Sequence, residues 1–354
     1  MNSKRTALSV AVVGTAAGVA GLVLLASPAG AGEAPPALPP ISADQLVESV
    51  LSTDVPALGG AVELENNLGL PIPALPASMG GGDQIRVYTD GNGRARISLP
   101  TRSGETTVVN DGKTVWVWDS QDKTVEKLPH SADRGEHTPL QGKVADPATA
   151  ARDLVNAMQA DSTVDVDGTA RVAGRPVYQL VLEPKPTERT LLREVRVSVD
   201  SETRVPLQLE VLANGQADPA LKVGFTEFAD GPQDPSLFTF TPPEGAKVTE
   251  HKEHERLGGE SPDELFSQLD LDTVGRGWDT VLTGKLPDEA LSTPGPNGQG
   301  NAADLLRRFG KEVHGDFGTG WVLSAKVGTA LITEDGRVAI GAVPQQVLTE
   351  ALGK

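Results

Sequence analysis

LLREVRVSVDSETRVPLQLEVL, residues Leu191–Leu212, decides the fold. Val195, Val197 and Val199 alternate with Glu194, Arg196 and Ser198. After a polar turn, Leu207, Leu209 and Val211 alternate with Gln208 and Glu210. A period of two sends successive side chains to opposite faces of a strand. The stretch therefore predicts two antiparallel strands, Leu191–Val199 and Val205–Leu212, each with one dry and one wet face.

The same rhythm extends in both directions. Gln84–Thr89 and Arg94–Leu99 flank Asp90-Gly91-Asn92-Gly93. Glu105–Val109 and Lys113–Trp118 flank Asn110-Asp111-Gly112, and Thr124–Leu128 follows. Asx-Gly pairs between alternating runs are strong hairpin signals. Residues 60–68, Thr163–Val172, Val177–Leu182 and Leu221–Phe228 also read as strands. Ser42, with Gln45 three residues on, forms a capping box. It opens a helix with Leu46, Val47, Val50 and Leu51 on one stripe. Asp146-Pro147 starts a second helix carrying Ala151, Leu154, Val155 and Met158. About ten strands and two helices at this spacing predict a meandering antiparallel sheet.

Two strands break the one-dry-face rule. Val115 and Val117 oppose Trp116 and Trp118. Tyr178, Leu180 and Leu182 oppose Val177, Gln179 and Val181. A second apolar face needs a cover: a helix, the C-terminal region or a ligand. With 13 aromatic residues in the chain (Trp 4, Tyr 2, Phe 7), two tryptophans on one face of one strand stand out.

The chain has 354 residues, a net charge of −17 and no cysteine. Its length allows one large or two modest domains. The absence of cysteine excludes thiol catalysis, disulfides, cysteine-ligated metal and a lipid-bearing cysteine. The acidic balance argues against a nucleic-acid partner. Lys4 and Arg5 precede the uncharged apolar run Ala7–Ala26, and Ala29-x-Ala31 fits a cleavage site. Residues 1–31 read as a secretory signal, or alternatively as an uncleaved membrane anchor. Either places the rest outside the cytoplasm, secreted or in the cell envelope. Cleavage removes two positive charges and takes the net from −17 to −19. Residues 32–41 form a Pro-rich linker, and residues 69–82 a long apolar-tinted loop. Residues 249–261 form a charged linker. Residues 262–354 form a small α+β region with helices near Pro262–Leu269 and Ala302–His314. Strands Gly320–Ala325, Ala330–Thr333 and Val338–Val343 follow, and a last helix begins at Pro344.

Several motifs taken together resemble one family. They are Val87-Tyr88-x-Asp90-Gly91, Asn110-Asp111-Gly112-x-x-x-Trp116-x-Trp118 and Val172-Ala173-Gly174-Arg175-Pro176-x-Tyr178-x-Leu180-x-Leu182-x-Pro184. Val197-x-Val199-Asp200-x-x-Thr203-x-x-Pro206-Leu207 and Phe238-x-Phe240-x-Pro242-Pro243-x-Gly245 complete the set. Their order over about 42–250 resembles the LolA-like and RseB-like (MucB-like) lipoprotein carriers and sensors. The whole chain looks like the secreted actinobacterial members. The resemblance implies an α+β fold: a strongly curved antiparallel sheet, an incomplete barrel capped by helices, over 42–248. The C-terminal α+β extension has no clear counterpart in the short carriers. The resemblance also implies a non-enzymatic protein whose apolar cavity holds lipid or lipoprotein acyl chains. The RseB-like alternative binds an anti-sigma factor or another membrane protein.

The candidate ligand-binding residues are Trp116, Trp118, Tyr178, Leu180, Leu182, Val195, Val197, Leu207, Leu209 and Phe225. Parity alone does not say which sheet face lines the cavity. No cofactor or catalytic group is expected. His251-x-x-His254 sits among Lys252, Glu253, Glu255 and Arg256, and reads as a solvated linker rather than a metal pair. The stretch Asp161-Ser162-Thr163-Val164-Asp165-Val166-Asp167-Gly168 lacks acids at the first and last positions of a calcium loop, Thr163 and Gly174, and reads as a hairpin turn. No nucleophile elbow, P-loop or His-Glu-x-x-His occurs. A secreted enzyme, the third reading, requires an acid/base cluster in the cleft.

Overall fold

A computed structural model describes residues 34–69, 84–101, 103–129, 159–251, 272–286 and 302–353. The signal-like residues 1–31, the helices expected at 146–158 and 262–269, and most of the 69–82 loop lie outside this set. Within it, the capping box at Ser42 forms. The Ser42 hydroxyl accepts from the Gln45 amide, and the Gln45 side chain accepts from the Ser42 amide. It starts helix α1 (Ala43–Ser52), which buries Leu46, Val47 and Val50.

The first meander comprises β1 (Ala57–Asn66), β2 (Ile85–Asp90), β3 (Ala95–Thr101), β4 (Gly104–Asn110), β5 (Thr114–Asp119) and β6 (Thr124–Pro129). The Asx-Gly turns behave as their chemistry requires. One Asp90 carboxylate oxygen accepts from the amides of Asn92 and Arg94, and Gly91 and Gly93 take positive φ between them. The second meander comprises β7 (Ser162–Val172), β8 (Arg175–Pro184), β9 (Leu192–Asp200), β10 (Pro206–Ala213) and β11 (Leu221–Asp230). β1 pairs with both β2 and β11 and so joins the two meanders. A short strand, β12 (Lys247–Glu250), adds in parallel beside β6. The result is one open twelve-stranded sheet, β12-β6-β5-β4-β3-β2-β1-β11-β10-β9-β8-β7, with β12 and β7 at its edges. The parallel strand departs from the expected all-antiparallel meander. It straddles the expected boundary, with Lys247 and Val248 at the end of the 42–248 region and Thr249 and Glu250 at the start of the charged linker.

The sheet is rolled. Flat, it would set β1 and β7 five spacings apart, about 24 Å. Yet Glu63 and Glu65 of β1 line one hollow of ≈ 160 Å³ together with Arg171, Val172 and Ala173 at the far end of β7.

The segment between β11 and β12 forms a strap. Gln233 and the Tyr88 ring lie over Gly59 so closely that a Cβ there would sit 2.5 Å from Gln233 Oε1. Phe238 is buried with the Arg94 guanidinium 5.4 Å over its ring. Phe240 packs against Trp116 with ring centroids 5.6 Å apart.

A second sheet follows, β13-β14-β18-β17-β16-β15. Its strands are β13 (Asp272–Val274), β14 (Val281–Lys285), β15 (Lys311–Gly315), β16 (Gly318–Ser324), β17 (Thr329–Thr333) and β18 (Arg337–Gly341). Helix α2 (Ala302–Phe309) contacts β16. Helix α3 (Gln345–Leu352) places Val347, Leu348 and Ala351 on Val281, Val322, Leu331 and Ala339. The helix expected over Ala302–His314 is shorter than its sequence suggested. It stops at Phe309, and Lys311–Gly315 is a strand paired with β16. Gly310 ends the helical run, and only Val313 of the following five residues turns inward, the one-sided pattern of an edge strand.

Both sheets lie in one compact unit, Leu38–Lys354. Leu191 N and Thr190 Oγ1 both donate to the Ala342 carbonyl, at 2.8 and 2.7 Å. Arg189 pairs with Glu350 at 2.7 Å.

Candidate functional site

Register sets the site. Leu180 lies opposite Val197, Leu182 opposite Val195 and Tyr178 opposite Val199, and Leu209 lies opposite Val197 from the other side. Directly opposed residues share a face, so these side chains form one continuous apolar patch. α1 lowers Leu46, Val47 and Val50 onto it. Leu38 and Ile41, just before the helix, pack at its border, and the Tyr178 hydroxyl donates to the Pro39 carbonyl at 2.9 Å. Leu46, Val50, Leu180, Leu182 and Val197 are fully buried.

Of the ten sequence candidates, Tyr178, Leu180, Leu182, Val195, Val197 and Leu209 meet in this cluster. Leu207 and Phe225 belong to a second one with Leu58, Val62, Ile85, Val87 and Val177. Trp116 and Trp118 belong to neither. Val115 and Val117 pack toward Val108 and Leu128, and the tryptophans face the other way. Trp116 there meets Phe240 and donates its indole N–H to Asp111 at 3.1 Å, with the Lys127 ammonium 5.7 Å over its ring. The strap is what covers the second face of this strand.

Leu46, Val47, Val50, Val199, Trp278 and Ser162 belong to the site without being sequence candidates. Leu46 and Val50 were read as a helix stripe without a stated partner. Trp278 and Ser162 carried no motif. Trp278 reaches the cluster from the C-terminal region and is 2% exposed. A scarce tryptophan directly after two glycines, Gly275-Arg276-Gly277-Trp278, was the available signal.

The cluster opens to solvent along α1. A groove of ≈ 540 Å³ lies between the helix and β7, lined by Asp44, Val47, Glu48, Leu51, Ser52 and Val164. Val47 and Val164 also touch the buried cluster. Leu51 is a large apolar residue left 39% exposed. Asp44 and Glu48, one helical turn apart, supply the charge of the lining.

Across β9, β10, β11 and β1 the opposite face carries a charged row. Arg196, Glu210, Lys222 and Glu65 stand opposite one another across β9, β10, β11 and β1, alternating in sign. Burial raises the Glu210 carboxyl above its ordinary range. Lys222 and Arg196 oppose this, while Glu65 and Glu194 add to it.

Among the described residues no group of His, Asp and Glu is placed to hold a metal ion. His251 lies 3.8 Å from Glu126, and His254 is outside the described residues. No described helix is long and apolar enough to cross a membrane, which says nothing of membrane barrels.

No family model matches the sequence, and no curated protein does. Solved structures are similar to this one. MucB matches at 16% identity and a TM-score of 0.41, covering 88% of this chain and 95% of that one. The chain is similar to MucB and to LolA-superfamily proteins. The Pseudomonas aeruginosa MucA/MucB complex matches at 17% identity and a TM-score of 0.40, covering 87% of this chain and 94% of that one. A LolA superfamily protein from Nitrosomonas europaea matches at 11% identity and a TM-score of 0.25, covering 57% of this chain and 99% of that one.

Proposed function

We propose that this protein is an exported, non-enzymatic carrier or sensor that holds lipid or lipoprotein acyl chains between α1 and the sheet. The observation that carries the reading is the groove between α1 and β7, whose apolar floor, Val47 and Val164, continues into the buried cluster. Each methylene taken from water is worth about 0.8 kcal/mol, so a long chain binds there without a polar anchor. Tyr178, Leu180, Leu182, Val195, Val197 and Leu209 form the wall behind it.

The acidic rim refines the ligand class. Asp44 and Glu48 repel a free carboxylate at the groove mouth, so the reading favours acyl chains in neutral ester or amide linkage. The N-terminal charge and apolar pattern supports export, with 42–248 as the ligand-holding domain and 262–354 as an appended region.

Native mass spectrometry of protein purified from its own host tests this. Co-bound lipid is the expected result. Lipid-free protein that also fails to bind fluorescent acyl probes overturns the reading. Carrier and sensor share the site and differ in partner. Recovery of an anti-sigma factor or another extracytoplasmic membrane protein in a pull-down assigns the sensor role.

A further inference from the structure

Trp278 is carried by the second sheet but packs in the core of the first. It sits in the single turn Gly277–Asp279 between β13 and β14, and its ring joins Leu46, Val50, Leu180 and Leu182 rather than the α3 core. The turn is built to aim it. Gly275 and Gly277 take φ of +87° and +66°, a region that disfavours side chains. A Cβ at Gly277 would also lie 2.7 Å from Asp161 Cβ. The Trp278 amide donates to Glu188 at 2.9 Å. The indole N–H donates to Ser162 Oγ, also at 2.9 Å, in a buried setting.

Ser162 connects this slot to the groove. It lies two residues before Val164 on β7, and alternation places both on one face. Val164 lines the groove, and Ser162 holds the indole. We propose that Trp278 gates the acyl site: its ring fills the inner end of the apolar cluster, and an acyl chain entering between α1 and β7 takes its place. The proposal rests on the carrier or sensor reading and adds the residue that sets affinity. A tryptophan buries an apolar surface of roughly 150–250 Å². Its replacement by hydrocarbon exchanges one apolar filling for another. The hydrogen bond to Ser162 is then the specific contact that favours the closed state. Displacement also frees the β13–β14 connection, so the second sheet reports whether the first is loaded.

The test uses the full chain, a neutral pyrene-labelled acylglycerol, and the wild type beside Ser162→Ala and Trp278→Ala. Ser162→Ala keeps the slot and removes the bond to the indole. It should tighten apparent binding about five-fold, the population shift given by one ordinary hydrogen bond. Trp278→Ala should tighten it at least as much. In the wild type, saturation with unlabelled acylglycerol should make tryptophan emission more quenchable by acrylamide, and Trp278→Ala should lose that increment. Equal affinities in all three proteins, or quenching in the wild type that lipid leaves unchanged, overturn the gate while the carrier reading stands. Absence of binding in all three overturns both. Should Trp278→Ala fail to fold, Ser162→Ala and the wild-type quenching decide the question.

Discussion

Arg175 serves several carboxylates at once. Its Nε and Nη2 donate to the two oxygens of Asp200 at 3.0 and 2.9 Å, and Nη2 also reaches Glu202 at 3.0 Å. Asp200 is fully buried and takes further bonds from the amide and hydroxyl of Thr203. Burial alone would raise the Asp200 carboxyl, but Arg175 and Thr203 outweigh it and hold the group below its ordinary value. Removing one partner of a buried pair strands the other, so Arg175→Ala should destabilise by about 3–5 kcal/mol in urea melts at pH 7. Because the folded value is depressed, the stabilisation from Asp200 is present above the unfolded value of about 4 and is lost as pH falls through the folded one. The stability gap between wild type and Asp200→Asn should therefore close under acid. Glu210 has the opposite sign. Its folded value is raised, so the penalty on its charged form is absent at low pH and appears as pH rises through the folded value. Glu210→Gln should stabilise relative to wild type at pH 7, with the gain shrinking toward pH 4, as read by thermal melts at the two pH values. In the site wall, Leu180→Ala should destabilise by about 2–5 kcal/mol in urea melts, since Leu180 is fully buried beneath α1.

At the scale of elements, α1 depends on its cap. Ser42→Ala should lower stability by about 0.5–2 kcal/mol and loosen the helix over the cluster, which amide hydrogen exchange across Leu46–Val50 would show. The capping box and the Asx-Gly hairpins were readable from sequence because each is a local arrangement fixed within a few residues. The alternation in β9 and β10 was readable for the same reason. The strap was not. Phe238 and Phe240 form no periodic pattern, and their partners, Arg94 and Trp116, lie more than a hundred residues earlier. The parallel strand β12 has no signature in the sequence, because its four exposed residues, Lys247–Glu250, carry no apolar alternation. The sequence candidates divided for a related reason. Parity groups residues only along an unbroken strand. The register breaks at Leu207 on β10 and at Thr226 on β11, and Leu207 and Phe225 join a different cluster from Leu209.

Across the whole molecule, the two sheets exchange side chains and backbone bonds rather than abut as separate bodies. Trp278, the bonds to Ala342 and the Arg189–Glu350 pair all cross from one to the other. A chain shortened to residues 1–271 loses Trp278 and leaves its slot open. It should bind a dye of the anilinonaphthalene type far more than the full chain, while the far-ultraviolet strand signal falls only by the share of the six strands removed. No periodicity on either sheet announces this exchange, since a lone residue in a glycine turn acts across more than a hundred positions of sequence.

The two ends of the open sheet bear on whether copies of the chain stay apart. An unpaired strand edge is a template on which another copy can add, and an open sheet has two. One edge, β12, spans only Lys247–Glu250 and begins and ends on charge. The other, β7, is long, but its exposed positions include Thr163, Asp165 and Asp167, and its pairing with β8 slips register between Val166 and Thr169. A second copy arriving at β7 meets like charge and a break in spacing. Neutralising Asp165 and Asp167 together would remove the charge and leave the break, and should turn a dispersed protein into one that polymerises slowly through its own edges.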